Sequence, residues 1–148
     1  MDVTVVMDAS IWVSQLRPQD TNHNASRLWV ERYTAAGGLL VAPVFFLIEV
    51  AAAISRRTED PALAKKAIED LTSTNVIQFV SLDSVLVQAA VDIAADLQLR
   101  GGDAIYVAVA QQLNLPLVSW DKEQLQRAAS LTRTYTPGTY PFELSEQS

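Results

Sequence analysis

Val3-Thr4-Val5-Val6-Met7-Asp8 opens the chain with a β-branched apolar run closed by an acid. A half-exposed strand would alternate polar and apolar residues; this run does not. It reads as a strand buried on both faces, the pattern of a parallel sheet covered by helices. The rest of the chain is punctuated accordingly. Ser10 to Leu16 reads as a short helix stopped by Pro18. Asn24 to Ala36 carries Leu28, Trp29, Tyr33 and Ala36 at helical spacing and ends at Gly37-Gly38. Leu39-Leu40-Val41 is a second strand, and Pro43 suits the first turn of a helix running to about Arg57.

Asp60-Pro61 is a cap followed by proline, opening a helix through Leu71. Val76 to Leu82 reads as a third strand. Asp83 then caps a helix whose inner stripe is Val87, Ala90, Val91, Ala94 and Leu97. Gly101-Gly102 breaks it, and Asp103 starts another helix ending near Leu113-Asn114. Leu115 to Ser119 is a fourth strand, Lys122 to Ala129 a short helix, and Leu131 to Tyr135 a fifth strand. Pro137, Gly138 and Pro141 mark an irregular tail from about residue 136. Strands alternating with helices predict an α/β fold with a mainly parallel central sheet and helices on both faces. With no linker, repeat or low-complexity segment, residues 1–148 read as one domain.

Composition narrows the function. A hydrophobic share of 49% with 19% charged residues supports a packed core rather than disorder. No apolar run reaches the roughly 18 residues that cross a bilayer, so no membrane partner is expected. Met1-Asp2-Val3-Thr4 lacks the basic start of a signal peptide. There are no cysteines, which excludes disulfides and thiolate metal sites and fits a cytoplasmic setting. The one histidine, His23, lies in Asp20-Thr21-Asn22-His23-Asn24, expected as a solvated loop or helix start. The net charge of −6 argues against a broad basic surface for duplex DNA. Arg56, Arg57, Lys65, Lys66 and Arg100 could still form a basic rim, or simply be solvated helix charges.

Four acids stand out because each sits in an apolar neighbourhood. Asp8 closes the first strand. Glu49 interrupts Phe45-Phe46-Leu47-Ile48 and Val50-Ala51-Ala52-Ala53-Ile54, Asp103 opens an apolar helix, and Asp121 follows Leu117-Val118-Ser119-Trp120. A buried carboxylate is costly unless it is paired, hydrogen-bonded or bound to a metal, and no matching set of basic residues stands beside these. In an open parallel sheet, ligands bind beyond the carboxyl ends of the strands, near the point where strand order reverses. If the first and fourth strands are neighbours, Asp8 and Asp121 converge there. Gathered carboxylates call for a cation, and an all-oxygen set favours Mg²⁺ or Mn²⁺. Each acid also has a plain structural reading. Asp103 and Asp121 suit N-caps, Asp121 with Gln124 as a capping box, and Asp8 suits a turn.

Together the segments resemble the PIN domain, and more narrowly the VapC-type toxins of toxin–antitoxin pairs. Val6-Met7-Asp8-Ala9-Ser10 resembles that family's opening strand with Asp-x-Ser/Thr, and Leu47-Ile48-Glu49-Val50 its glutamate helix. Gly102-Asp103-Ala104-Ile105-Tyr106-Val107-Ala108-Val109-Ala110 resembles its Asp-Ala-x-Tyr helix, and Leu117-Val118-Ser119-Trp120-Asp121 its Thr/Ser-x-Asp strand end. The resemblance implies a three-layer α/β/α sandwich and cleavage of single-stranded RNA by a Mg²⁺- or Mn²⁺-dependent endoribonuclease. By it, Asp8, Glu49, Asp103 and Asp121 are the catalytic metal ligands, with Ser10 and Ser119 as polar supports behind them. It also implies a homodimer and a small antitoxin protein that covers the site. Trp120 is bulky for the motif and suits either base stacking or a partly buried core position. The rival reading is a non-catalytic PIN-like module that uses the same acids for a structural cation or a protein partner. A phosphoaccepting receiver or a haloacid-dehalogenase-type phosphatase fits less well. Ser10 stands where the phosphatase wants a second aspartate, and only Asp8 stands where a receiver wants an acid pair.

Overall fold

The computed structural model describes residues 1–142, so the end of the expected tail, residues 143–148, lies outside the described residues. The chain runs β1 (Thr4–Met7), α1 (Ala9–Leu16), α2 (His23–Ala35), β2 (Leu39–Pro43), α3 (Phe45–Thr58), α4 (Pro61–Ser73), β3 (Ile77–Val80) and α5 (Ser84–Leu97). It continues with α6 (Gly101–Leu113), β4 (Leu117–Val118), α7 (Lys122–Ala128) and β5 (Thr134–Tyr135). The strands form one sheet in the order β3-β2-β1-β4-β5. Every neighbouring pair is parallel.

β1 is the central strand, and Val6 stands opposite Val41 on one side and Leu117 on the other. Val5, Val6 and Met7 have no exposed surface, which is why their run shows no alternation. Right-handed crossovers place α1 to α4 on one face, because β1 to β2 to β3 steps one way across the sheet. The return from β3 to β4, and on to β5, puts α5 to α7 on the other face, giving the α/β/α sandwich. Strand order therefore reverses between β1 and β4, and the carboxyl ends of those two strands open the crevice where such folds take ligands. Among the described residues no helix is long and apolar enough to cross a membrane.

Five expectations need correction. Pro43 ends β2 rather than starting a helix, pairing with Val80, and α3 begins at Phe45. At the last position of a strand its missing N–H removes no ladder bond. Glu49 consequently lies about one turn into α3, nearer its start than the nearly two turns that a helix beginning at Pro43 would give. The Gly101-Gly102 pair does not break the chain between helices; both residues belong to the first turn of α6, whose N-cap is Arg100. The break is made by Gln98 in the left-handed region, φ 56°. Gly102 instead lets the Phe45 ring pack close, since a Cβ there would lie 2.9 Å from the ring and displace it.

The inner stripe of α5 is Leu86, Ala90 and Ile93, while Val87 and Val91 are exposed. Asp83 caps the helix as expected, accepting the Leu86 N–H at 2.8 Å. The described part of the tail, residues 136–142, has no strand or α-helix yet is packed. Tyr140 is buried against Trp29, Tyr33 and Tyr135, with ring centroids 5.5–5.8 Å apart. His23 is half-buried, its Nδ1 3.0 Å from the Ser14 carbonyl oxygen, rather than free in solvent.

Candidate functional site

The switch point gathers the acids. Asp8 follows β1 directly, and its N–H donates to the Val118 carbonyl of β4 at 3.0 Å. Its side chain caps α1, with Oδ2 accepting the Ser10 N–H at 2.9 Å. Asp121 lies just beyond β4 and caps α7, its Oδ1 accepting the Gln124 N–H at 3.1 Å. Asp103 stands in the first turn of α6, and Glu49 enters from α3 on the opposite face of the sheet. All four line one hollow of about 510 Å³, together with Ser10, Trp120, Arg57 and Arg100.

The electrostatics of this hollow are strained. Asp8 is 8% exposed, and burial raises its pKa. Hydrogen bonds from Ser10 and Gln124 pull it down, while the charge of Asp121 raises it. Glu49 is pushed up to about 7, by burial first and then by the charges of Asp8 and Asp103. Against that, the Tyr106 hydroxyl donates to Glu49 Oε1 at 2.5 Å and holds it lower. Asp103 is pushed up to about 6 by burial, Asp121 and Asp8, with Arg100 opposing. The acids thus feel one another across the hollow, as close like charges must.

Arg100 is the basic residue that reaches them, with Nε 3.4 Å from Asp103 Oδ2 and a terminal nitrogen 3.4 Å from Asp121 Oδ2. Its side chain is 81% exposed, so it offsets only a small part of that repulsion. Arg57 also lines the hollow, and Arg56 lies beside it. Lys66 pairs instead with Asp70, and Lys65 borders an apolar groove between α3 and α4. The basic rim is therefore narrower than the five residues read from sequence.

Ser10 and Ser119 hold the turn behind the acids. Ser10 Oγ accepts the Trp120 N–H at 3.2 Å, and the fully buried Ser119 Oγ accepts the Asp121 N–H at 3.0 Å. Ser10 faces the hollow as well; Ser119 does not line it. Trp120 is half-buried, with its indole N–H donated to Ser26 Oγ at 2.7 Å, and it also lines the hollow. Two residues of the site escaped the sequence reading. Tyr106 looked like one more apolar position, although its place three residues after Asp103 sets both on one helix face. Gln124 looked like a capping-box partner. Its side chain does not reach back to the Asp121 N–H; it is fully buried, with Nε2 donating to the Asp103 carbonyl at 3.3 Å.

Among the described residues, no three or more His, Cys, Asp or Glu side chains stand close enough together to hold a metal ion as they are placed. The donor chemistry nonetheless suits Mg²⁺ or Mn²⁺. It is all oxygen, mutually repulsive and short of cations, and an open ring is compatible with an ion that keeps several of its waters.

The model of the PIN domain matches residues 5–131, and the chain belongs to that family. No curated protein matches the chain significantly. Among solved structures, FitAcB from Neisseria gonorrhoeae is similar with TM-score 0.70 at 14% identity, covering 92% of this chain and 99% of its own. VapC20 of Mycobacterium tuberculosis, a toxin that cleaves the sarcin-ricin loop, is similar with TM-score 0.69 at 17% identity, over 86% of this chain and 96% of its own. A toxin–antitoxin complex from Klebsiella pneumoniae gives TM-score 0.64 at 14% identity, over 90% and 97%. At these identities the likeness establishes the PIN-like fold.

Proposed function

We propose that this PIN domain is a metal-dependent endoribonuclease, acting in the cytoplasm as the toxin of a toxin–antitoxin pair. The observation that carries this reading is the gathering of Asp8, Glu49, Asp103 and Asp121 on one hollow at the sheet's switch point, with only exposed arginines to balance them among the described residues. In this reading the four carboxylates hold Mg²⁺ or Mn²⁺. When bound, the ion supplies a polarised phosphodiester and a water of lowered pKa, chemistry that needs no histidine.

The residues of the chain divide the remaining work. The acids are ligands rather than general bases, and Tyr106 keeps one oxygen of Glu49 fixed by its hydrogen bond. Arg57 and Arg100, at the rim, meet the phosphates of single-stranded RNA, and the flank of Trp120 offers a surface for a base. A small antitoxin that covers the hollow and a homodimeric toxin complete the proposal. The antitoxin is supported by the likeness to a toxin–antitoxin complex, and the homodimer rests on the family resemblance alone.

A quenched-fluorophore single-stranded RNA tests it. Cleavage should require Mg²⁺ or Mn²⁺ and stop in excess EDTA. Undiminished cleavage in EDTA, or none in either metal, overturns the nuclease reading. The open arrangement of the acids favours one alternative, a module that binds a cation or a protein without catalysis. That alternative predicts Mn²⁺ binding with intact RNA.

A further inference from the structure

Gln124 is an odd residue for its position. It sits on α7, a helix of 7 residues, with 0% of its surface exposed. Its Oε1 has no hydrogen-bond partner among the described residues. A buried unpaired carbonyl weakens a fold, whereas leucine or methionine would fill the same space with no polar atom to satisfy. Packing alone therefore does not explain glutamine.

The other end of its amide does. Nε2 donates to the Asp103 carbonyl oxygen at 3.3 Å, and the backbone N–H of Gln124 donates to Asp121 Oδ1 at 3.1 Å. Turning the amide over would set Oε1 against the Asp103 carbonyl, acceptor on acceptor, so the donor end must face the acids. One residue thereby ties the first turn of α6 to the cap of α7. The fourth acid, Glu49, has its own neutral donor in Tyr106.

We infer that Gln124 is a positioning residue: its side-chain amide on the Asp103 carbonyl and its backbone N–H on the Asp121 carboxylate hold these two acids in register, so that the carboxylates of the hollow are set to receive a divalent ion. This inference rests on the metal-site reading proposed above. Neutral donors suit that role, because they orient carboxylate oxygens without competing for the ion as a lysine or arginine would. Groups that orient metal ligands from behind typically change affinity by about tenfold to a hundredfold when removed.

The test is Mn²⁺ titration by calorimetry, with thermal melts of the same samples. The proteins are wild type, Gln124→Met, Gln124→Leu and Leu125→Ala. Leu125 is buried on the same helix; its backbone N–H donates to the Asp121 carbonyl at 3.0 Å, a bond that alanine keeps, and its apolar side chain offers no hydrogen bond to any of the four carboxylates, so its truncation loosens α7 without removing a polar contact of the site. The expected result is a split. Gln124→Met binds Mn²⁺ about tenfold to a hundredfold more weakly with an unlowered melting temperature, while Leu125→Ala melts earlier with unchanged affinity. Gln124→Leu carries the same test should methionine not be accommodated. Unchanged affinity in the Gln124 variants, or an equal loss in Leu125→Ala, overturns the inference while leaving the metal site standing. Wild-type protein that takes up no Mn²⁺ removes the metal reading, and this inference with it.

Discussion

Asp2 lies before β1 and Asp8 directly after it, so the central strand carries an acid at each end of the sheet. At the amino end, Asp2 Oδ1 meets Arg133 at 2.7 Å and Oδ2 accepts the Tyr140 hydroxyl at 3.1 Å. Its backbone is answered too: the N–H donates to Tyr140 at 2.9 Å and the carbonyl accepts from Tyr33 at 2.9 Å. At the carboxyl end Asp8 is more deeply buried, yet among the described residues it has no ion pair, and its charged neighbours are other acids. One end of the strand satisfies its polar groups; the other concentrates charge of one sign. Folding stability explains the first arrangement and opposes the second, and an acid retained against stability points to chemistry.

The largest effect should come from swapping damage between the two ends. Asp8→Asn should lower RNA cleavage on the order of a hundredfold to a thousandfold, the scale of losing one preorganised electrostatic group at a reacting centre. Its melting temperature should hold or rise, because a buried like charge is gone. Asp2→Ala should do the reverse, losing about 1–2 kcal/mol after allowance for the exposed side of its Arg133 pair. Its cleavage rate should be kept. Cleavage by Asp8→Asn at the wild-type rate, or an inactive but stable Asp2→Ala, breaks the comparison.

A smaller effect lies in pH. Glu49 and Asp103 are pushed up to about 7 and about 6 in the folded chain, so folded protein holds protons that unfolded chain has released. Their contribution is therefore fully present below the ordinary carboxylate range and is lost as pH rises through about 6 to 7. Without divalent ions the protein should melt earlier at pH 8 than at pH 5, by about 1–2 kcal/mol once solvent screening is allowed for. Saturating Mn²⁺ should shrink or invert that difference, since it stabilises the ionised acids. A melting temperature that climbs steadily with pH in EDTA would contradict the strained-edge picture.

How much of this was legible in the sequence differs between the two ends. β1 announced itself because an unbroken apolar run has few alternatives, and Asp8, Asp103 and Asp121 were found by their places beside such runs. The sequence left strand order open, and the β1–β4 pairing is what joins Asp8 to Asp121. Gly102 misled, because glycine reads as a break, whereas here it admits the Phe45 ring against the first turn of α6. The amino end was hardly legible. Arg133, Tyr140 and Asp2 are far apart in the chain, and no spacing rule links a tail tyrosine to the second residue. Gln124 and Tyr106 were hidden for a related reason: a polar atom inside an apolar contact is invisible until the neighbour is known.

The smallest effect probes one neutral donor. Tyr106→Phe removes the hydroxyl that donates to Glu49 Oε1 and leaves the ring, which has no exposed surface, in place. That hydroxyl opposes the rise of Glu49, so without it the carboxyl must climb beyond about 7. A larger share of Glu49 is then protonated at neutral pH and unable to serve as a ligand. The acid limb of the cleavage profile should move to higher pH, with a loss of up to about tenfold near pH 7, the scale of one hydrogen bond to a charged group. Raising the pH should recover most of that loss, which damage to packing would not allow. A uniform loss at every pH would assign Tyr106 to the core alone, and would leave Glu49 the one acid of the hollow with no donor tuning it.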